Sequence, residues 1–410
     1  MKIAIFTMFN GLSDSYSLVR AVKMQLQILL ANNYKVKLLV SEHCRDSERD
    51  GVFADKRIEW VKLSNTFEGK PYEWKDYKES REVDASFYIM RDAIASDLKV
   101  ALQDVDVCIL HDILYQGLHL AHNAAFRIAL TQFPNMRILA FTHSKPRQHI
   151  ESQYPINLMY QDMPNTTFIC PTEQDLTALS TQYGVDKQHC ACIPTAFDCL
   201  DGMTEEVKKI LAKTDIALPE FIMVYPARAV ASKGHNRLLS FAGMLKSISK
   251  SNILIICCDS GADDNFYKLM YFFAKTNNIS EDELIMTSKL GFTQGVSHRS
   301  ILDLFTLSNM VVLPTIYETQ SLLISESASR GNLLVLNDDV LLFREVAPIF
   351  GATLFHFGDT GVPLTRKYDY IEQIQRIVDC SRNNAVLLGK LTARRLYSPN
   401  YVFQLLKKFL

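Results

Sequence analysis

Two glutamates in the second half of the chain, Glu318 and Glu326, are separated by seven residues. An apolar run, Met310 to Leu313, precedes them, and a helical pattern that stops at Gly331 follows. Glu318 falls in the turn after the predicted strand, and Glu326 lies about two turns later in the helix. This spacing can aim both carboxylates into one pocket at the end of the strand. Two acids in one pocket suit a ligand rich in hydroxyl groups, such as the ribose and hexose of a nucleotide sugar.

A pair of cations, Arg228 and Lys233, lies in a loop that follows another predicted strand, Phe221–Tyr225. On a loop that enters a helix, such a pair can hold a diphosphate, the arginine through its planar fork and the lysine as a point charge. The same charges would neutralise a departing nucleotide diphosphate. Either cation alone is more simply explained as a solvated loop residue. The two glutamates also follow a predicted strand, Met310–Leu313, as the two cations follow theirs. The four residues together therefore indicate a donor site.

The order of elements that must position these residues predicts an α/β fold. The 410 residues are too many for one ordinary core, so two domains are expected. Strand-like and helix-like segments alternate through both halves, which predicts two Rossmann-like domains with doubly wound parallel sheets that face a central cleft. The expected boundaries are 1–200 for an acceptor-side domain, 201–218 for a linker and 219–398 for a donor domain. The polar segment 45–81 is predicted to be an irregular insertion near the acceptor side.

These motifs resemble those of the GT-B retaining glycosyltransferases of family 4. The family has Gly-Arg-x4-Lys-Gly after the first strand of its second domain, and this chain has Ala-Arg228 and Lys233-Gly at that place. The family's Glu-x7-Glu motif is similar to Glu318 and Glu326, and its helix-ending glycine before an apolar strand is similar to Gly331. Thus the resemblance covers mainly the C-terminal half.

The resemblance implies a role for each motif residue. Arg228 and Lys233 would grip the donor diphosphate, Glu326 would bind the ribose hydroxyls, and Glu318 would orient the donor sugar without acting as a nucleophile. Backbone amides would reach phosphate from four consecutive residues at a helix N-terminus, Thr319, Gln320, Ser321 and Leu322. The family usually has glycines where this chain has Thr319 and Ser321, so donor preference is expected to be set there.

The N-terminal half carries weaker signals. Gly11 stands where the family has a glycine-rich loop, and His143 follows a strand and resembles a family histidine that contacts the sugar near its reacting carbon. An ordinary turn is the simpler interpretation of Gly11. A lone histidine is more often structural, but the position of His143 directly after a strand favours a catalytic role. His111 is a candidate for acceptor binding. Lys145 and Arg147 are candidates for binding an acceptor phosphate, with a solvated basic loop as the alternative.

Composition excludes several other classes. The net charge of −1 gives no general attraction to nucleic acid or anionic membrane, and nine cysteines without a CxxC pair favour reduced thiols in a cytoplasmic protein. No apolar stretch is long enough to span a membrane. The motif Asp104-Val-Asp106 lies at the entry of a strand, the wrong edge for a ligand, so no metal site is predicted. The terminal amphipathic helix 399–410 is expected to pack back on the N-terminal domain, with peripheral membrane contact as the alternative.

The sequence thus predicts a retaining hexosyl- or pentosyltransferase with no bound cofactor. Its donor would be a nucleotide diphosphate sugar, a UDP- or GDP-sugar, and its acceptor a hydroxyl of a glycan, a lipid or a small metabolite. A second hypothesis is a phage-type enzyme that glycosylates hydroxymethylated bases in DNA, although the N-terminal half is slightly acidic. A third is a nucleotide-sugar hydrolase or epimerase on the same fold, for which no catalytic acid set is evident.

Overall fold

The computed structural model describes residues 1–72, 75, 77, 79–358 and 367–410. Its contacts divide the chain into two compact units, a first unit of Met1–Phe197 with Pro399–Leu410 and a second unit of Asp198–Ser398. Each unit contains its own parallel sheet with helices between the strands. The predicted α/β class is confirmed: each unit is a Rossmann-like domain with its own parallel sheet and helices between the strands.

The first unit is built around a seven-stranded parallel sheet of order β3-β2-β1-β6-β7-β8-β9. The strands are β1 (Lys2–Phe6), β2 (Lys35–Ser41), β3 (Ile58–Leu63), β4 (Thr66–Phe67), β5 (Lys70–Pro71), β6 (Val107–His111), β7 (Arg137–Phe141), β8 (Thr166–Cys170) and β9 (Cys190–Cys192), with β4 and β5 in a separate antiparallel pair. The helices are α1 (Ser17–Ala31), α2 (Ala85–Ala101), α3 (Leu120–Leu130), α4 (Leu176–Tyr183) and the last helix of the chain, α13 (Pro399–Leu406).

Apolar periodicity explains how these elements pack. β1 and β6 are almost continuously apolar and buried, as expected for strands covered by helices on both faces. Helix α1 buries an apolar stripe at helical spacing, and one polar residue, Gln25, is buried with it. Helix α13 buries Val402, Phe403 and Leu406 in the same core cluster as α1, so the chain end belongs to the first unit by its contacts.

The segment 45–81, predicted to be irregular, contributes a regular edge strand. Its residues Ile58–Leu63 form β3, which pairs in parallel with β2 and buries its two end residues while the residues between them are more accessible. The prediction missed β3 because an edge strand with charged residues such as Glu59 lacks the long apolar run of a central strand. Residues 73, 74, 76 and 78 of the segment lie outside the described residues.

The Asp104–Asp106 motif has a structural explanation. Asp104 forms ion pairs of 2.6 Å with both Lys2 and Lys37, and these hydrogen bonds lower the pKa of Asp104 to about 2. Asp106 accepts a 2.7 Å hydrogen bond from the backbone nitrogen of Lys2. Asp104 therefore neutralises Lys2 and Lys37, and Asp106 fixes the backbone at the start of the sheet.

The second unit has a six-stranded parallel sheet of order β12-β11-β10-β13-β14-β15. The strands are β10 (Phe221–Tyr225), β11 (Ile253–Cys257), β12 (Leu284–Met286), β13 (Met310–Leu313), β14 (Leu333–Asn337) and β15 (Thr353–Phe355). The helices are α5 (Glu205–Leu211), α6 (His235–Ser249), α7 (Asp264–Thr276), α8 (His298–Leu307), α9 (Leu322–Ala328), α10 (Leu341–Phe350), α11 (Lys367–Arg382) and α12 (Ala385–Leu396).

The segment 201–218, predicted to be a linker, contains α5 and belongs to the second unit by its contacts. Val207, Ile210 and Leu211 are buried in the core of that unit, because their spacing places them on one helix face. The backbone nitrogen of Thr204 also donates a 2.9 Å hydrogen bond to Asp303 on α8. Within the described ranges, no helix combines the length and the apolar character needed to cross a membrane.

Candidate functional site

The strand order of the second sheet reverses between β10 and β13, the place where parallel α/β sheets bind ligands at the carboxyl ends of their strands. The loop after β10 carries Arg228 and Lys233, and the loop after β13 carries Glu318. These three predicted residues therefore come from the two strands that flank the reversal, although they are far apart in sequence.

The two loops meet in a cavity of about 220 Å³. Lys233 and Glu318 line it and form an ion pair, with 2.8 Å between Nζ and Oε2. Both side chains are mostly buried, with 26% and 20% of their surface exposed. Arg228 also lines the cavity, and its exposed guanidinium has no ion pair or hydrogen bond with any residue in the described ranges. The cavity thus contains one neutralised lysine and one arginine available to an anion.

Short backbone contacts fix the two loops to each other. The carbonyl oxygen of Ser232 accepts hydrogen bonds from the Ile316 backbone nitrogen at 2.9 Å and from the Thr315 hydroxyl at 3.1 Å. Gly234 has a left-handed φ of 67°, and a Cβ atom there would lie 2.6 Å from the carbonyl oxygen of Pro314. The buried Tyr225 hydroxyl donates to the carbonyl oxygen of Lys233. The separation of Lys233 and Glu318 is therefore set by backbone, not only by their side chains.

Glu326, the second predicted glutamate, lies on α9 and is not among the residues that line this cavity. Its Oε1 is 2.8 Å from Nε2 of His298, the first residue of α8. Glu206 on α5 holds that end of α8, accepting hydrogen bonds from the backbone nitrogen of Ser297 at 2.9 Å and from the hydroxyls of Ser297 and Ser300 at 2.6 Å. The sequence analysis did not find His298, since only tertiary packing brings α8 beside α9.

The turn between the glutamates does not need the glycines that the family usually has. Ser321 lies just before α9 with an extended φ of −134°, and it lines the cavity. Thr319 and Gln320 are exposed and, like Leu322, are not among the residues that line the cavity, and none of the four has a left-handed backbone. Side chains are therefore tolerated here without strain.

The first unit shows a similar arrangement at its own strand reversal, between β1 and β6. A cavity of about 260 Å³ lies there and is lined in part by Gly11, Tyr16, His111 and His119. A Cβ atom on Gly11 would lie 3.1 Å from a carboxylate oxygen of Glu48, which also accepts a 3.0 Å hydrogen bond from the next backbone nitrogen. The absence of a side chain at Gly11 therefore allows the Glu48 carboxylate to approach the backbone closely.

His111 and His143, predicted separately, are in direct contact. Nδ1 of His111 lies 2.8 Å from Nε2 of His143, and the His143 backbone nitrogen donates a 2.9 Å hydrogen bond to Asp112. Burial lowers the pKa of both histidines and raises the pKa of Asp112. Nε2 of His111 lies 2.9 Å from Oε1 of Gln25, a residue that the sequence analysis missed. Its only sequence signal is a polar residue on the apolar face of α1.

The two candidates for an acceptor phosphate have different surroundings. Lys145 is exposed, and its carbonyl oxygen accepts a 2.7 Å hydrogen bond from the Tyr115 hydroxyl. The guanidinium of Arg147 lies over the Tyr115 ring at 5.1 Å, and its backbone nitrogen donates to Gln182. The structure thus assigns Arg147 a packing role against Tyr115, while the Lys145 ammonium remains exposed.

A group with metal-ligand chemistry follows β14 and β15. The side chains of Asp338, Asp339 and His356 offer ligand atoms that lie within 4.8 Å of one another. Nδ1 of His356 is 3.1 Å from a carboxylate oxygen of Asp338 and 3.4 Å from one of Asp339, so contacts among the three side chains already hold the group together.

The chain is similar to known proteins at the level of structure. No protein-family model and no curated protein sequence matches it. It is similar to the structure of a glycosyltransferase from Rickettsia africae ESF-5, with 14% identity, a TM-score of 0.37, and 99% of this chain and 96% of that chain covered. It is also similar to Anabaena HepE in complex with UDP, with 12% identity and a TM-score of 0.39. The match covers 100% of this chain and 99% of that chain. A third similar structure is sucrose-phosphate synthase from Thermosynechococcus elongatus, with 13% identity and a TM-score of 0.40. The match covers 99% of this chain and 97% of that chain.

Proposed function

We propose that this protein is a retaining glycosyltransferase that moves a sugar from a nucleotide diphosphate donor to an acceptor hydroxyl of a glycan, a lipid or a small metabolite. The observation that supports this most is the cavity at the strand reversal of the second unit. It combines the Lys233–Glu318 ion pair with Arg228, a cation that has no partner in the described ranges. The cations Arg228 and Lys233 can bind the oxygens of a diphosphate, and the Glu318 carboxylate can accept hydrogen bonds from sugar hydroxyls.

Each of these residues has a distinct part in the proposed reaction. Arg228 holds two diphosphate oxygens with its planar fork, and Lys233 adds a point charge. As the bond between the sugar and the β-phosphate breaks, both stabilise the negative charge that develops on the leaving phosphate. One oxygen of Glu318 binds Lys233, and the other is available to a sugar hydroxyl. On the front-face route, the acceptor hydroxyl attacks the anomeric carbon and its proton passes to the leaving β-phosphate.

The proposal is tested by measuring nucleotide release from UDP-, GDP-, ADP- and dTDP-sugars. Each donor is incubated with the protein alone, with a glycan and lipid extract, with plain DNA and with hydroxymethylated DNA. Release that depends on the extract would support the proposal. Release only with hydroxymethylated DNA would identify a DNA glycosyltransferase, and release without acceptor would identify a hydrolase. If no donor is consumed under any condition, the proposal is wrong.

We expect transfer to survive removal of divalent cations. Arg228 and Lys233 supply the positive charge that a metal ion would otherwise place on the diphosphate, so EDTA should leave the initial rate within about twofold. The control is His356→Ala, which dismantles the Asp338/Asp339/His356 group. A complete loss of activity with EDTA would contradict this prediction. If His356→Ala caused the same loss, that group would be the metal site responsible.

A further inference from the structure

Three side chains from three elements of the first unit form a hydrogen-bond chain. Gln25 lies on α1, His111 ends β6 and His143 follows β7. The distances are 2.9 Å from Gln25 Oε1 to His111 Nε2 and 2.8 Å from His111 Nδ1 to His143 Nε2. His111 is only 2% exposed and Gln25 only 8%, so water cannot easily replace these partners. The three side chains thus form a largely buried polar network, in which each hydrogen bond influences its neighbour.

The assignment of donors and acceptors from Gln25 through His111 determines which nitrogen of His143 is protonated. An amide oxygen only accepts hydrogen bonds, so the proton between Gln25 and His111 belongs to Nε2 of His111. Burial lowers the pKa of His111 and keeps the ring neutral, which leaves a lone pair on its Nδ1. The proton in the second hydrogen bond must therefore come from Nε2 of His143. A neutral His143 then has an unprotonated Nδ1.

The unprotonated nitrogen is available to a ligand. Nδ1 of His143 has no hydrogen-bond partner in the part of the chain that the structure describes. The backbone of His143 is also fixed, because its nitrogen donates to Asp112. Asp112 itself holds a left-handed φ of 59°, a conformation that aspartate adopts more readily than most residues. Both the position of the ring and the distribution of its protons are thus determined before a ligand arrives.

We propose that Gln25 and His111 hold His143 in the tautomer protonated at Nε2, so that its Nδ1 accepts a hydrogen bond from a hydroxyl group of a ligand bound to the first unit. Gln25 and His111 are positioning residues in this scheme, and His143 is the residue that contacts the ligand. The identity of the ligand rests on the proposed function, whereas the tautomer does not. If Gln25 instead presented its amide nitrogen, every proton in the chain would shift and Nδ1 of His143 would become a donor.

The tautomer can be read by NMR of the full chain labelled with ¹⁵N-histidine, at about pH 8, where neutral imidazoles dominate. A His143→Gln variant assigns the two nitrogen signals. We expect Nε2 of His143 to show the shift of a protonated nitrogen and Nδ1 that of an unprotonated one. A protonated Nδ1, or two averaged shifts, would overturn the proposal. This result is independent of activity, so it separates a failure of the tautomer from a failure of the proposed function.

Variants at Gln25 test the consequence for catalysis. Gln25→Leu should produce averaged His143 shifts and lower kcat/KM about tenfold, with nucleotide affinity unchanged. Gln25→Glu keeps an acceptor at the same place and should retain the wild-type tautomer. Gln27→Leu, at an exposed position of the same helix, is the matched control. Wild-type shifts in Gln25→Leu would contradict the positioning role.

Discussion

Replacement of Arg228 with alanine should reduce kcat for sugar transfer by about 10³-fold. The arginine is the cation in the cavity without a partner in the described ranges, so its charge is fully available to the leaving diphosphate. Because its side chain is exposed and forms no hydrogen bond or ion pair within the described ranges, the free energy of unfolding should change by less than about 0.5 kcal/mol. Initial rates and urea unfolding curves of the same preparation measure both quantities.

The Lys233→Ala variant should show a similar loss of rate, with a different effect on the site. Removal of Lys233 leaves the largely buried Glu318 without its 2.8 Å partner, so a small loss of stability is also expected. Arg376→Ala is the matched control, because Arg376 is 76% exposed and lies in the same unit. Near-normal turnover in Arg228→Ala or Lys233→Ala would contradict the donor-site assignment.

Gly234→Ala is expected to lower the free energy of unfolding of the second unit by about 3 kcal/mol. About 1 kcal/mol comes from the left-handed backbone, and the rest from the Cβ atom, which would lie 2.6 Å from the carbonyl oxygen of Pro314. Neither backbone segment can move without shifting the loop that carries Lys233 or the loop that carries Glu318. Nucleotide affinity should therefore fall together with stability, as urea unfolding and nucleotide titration would show.

A glycine in open space provides the control for this prediction. Gly351 in the same unit has a similar φ of 62°, but a Cβ atom there would meet nothing within 4 Å. Gly351→Ala should therefore cost only about 1 kcal/mol, the contribution of the backbone conformation. Equal losses in the two variants would show that the contact with Pro314 does not matter.

The sequence was sufficient to predict the elements that carry the donor motifs. β10 and β13 are short, almost entirely apolar and followed by loops, so both the strands and their carboxyl ends could be found. The edge strands β3, β9 and β15 were missed because a strand with one neighbour need not be apolar on both faces. Helix α5 was predicted to lie in the linker because four of its seven residues are charged, although its three apolar residues are buried in the second unit.

The hydrogen-bond partners of the candidate residues could not be predicted from the sequence, for a different reason. The contact of His298 with Glu326 requires α8 to pack beside α9, and that of Gln25 with His111 requires α1 to cover β6. Local patterns define which face of an element is apolar, but not which polar group lies across from it. In contrast, the Lys233–Glu318 pair was accessible to prediction, because strand order alone brings the two loops together.

The ion pair between Lys233 and Glu318 also affects how the empty cavity behaves. When a diphosphate binds, the Lys233 ammonium can also donate a hydrogen bond to a phosphate oxygen. When the nucleotide leaves, Glu318 is already in place as an internal counterion, so the lysine is not left as an unpaired charge in a half-buried site. Product release then costs less than it would from a cavity lined by cations alone. In the proposed reaction, the carboxylate of Glu318 would thereby also limit product inhibition.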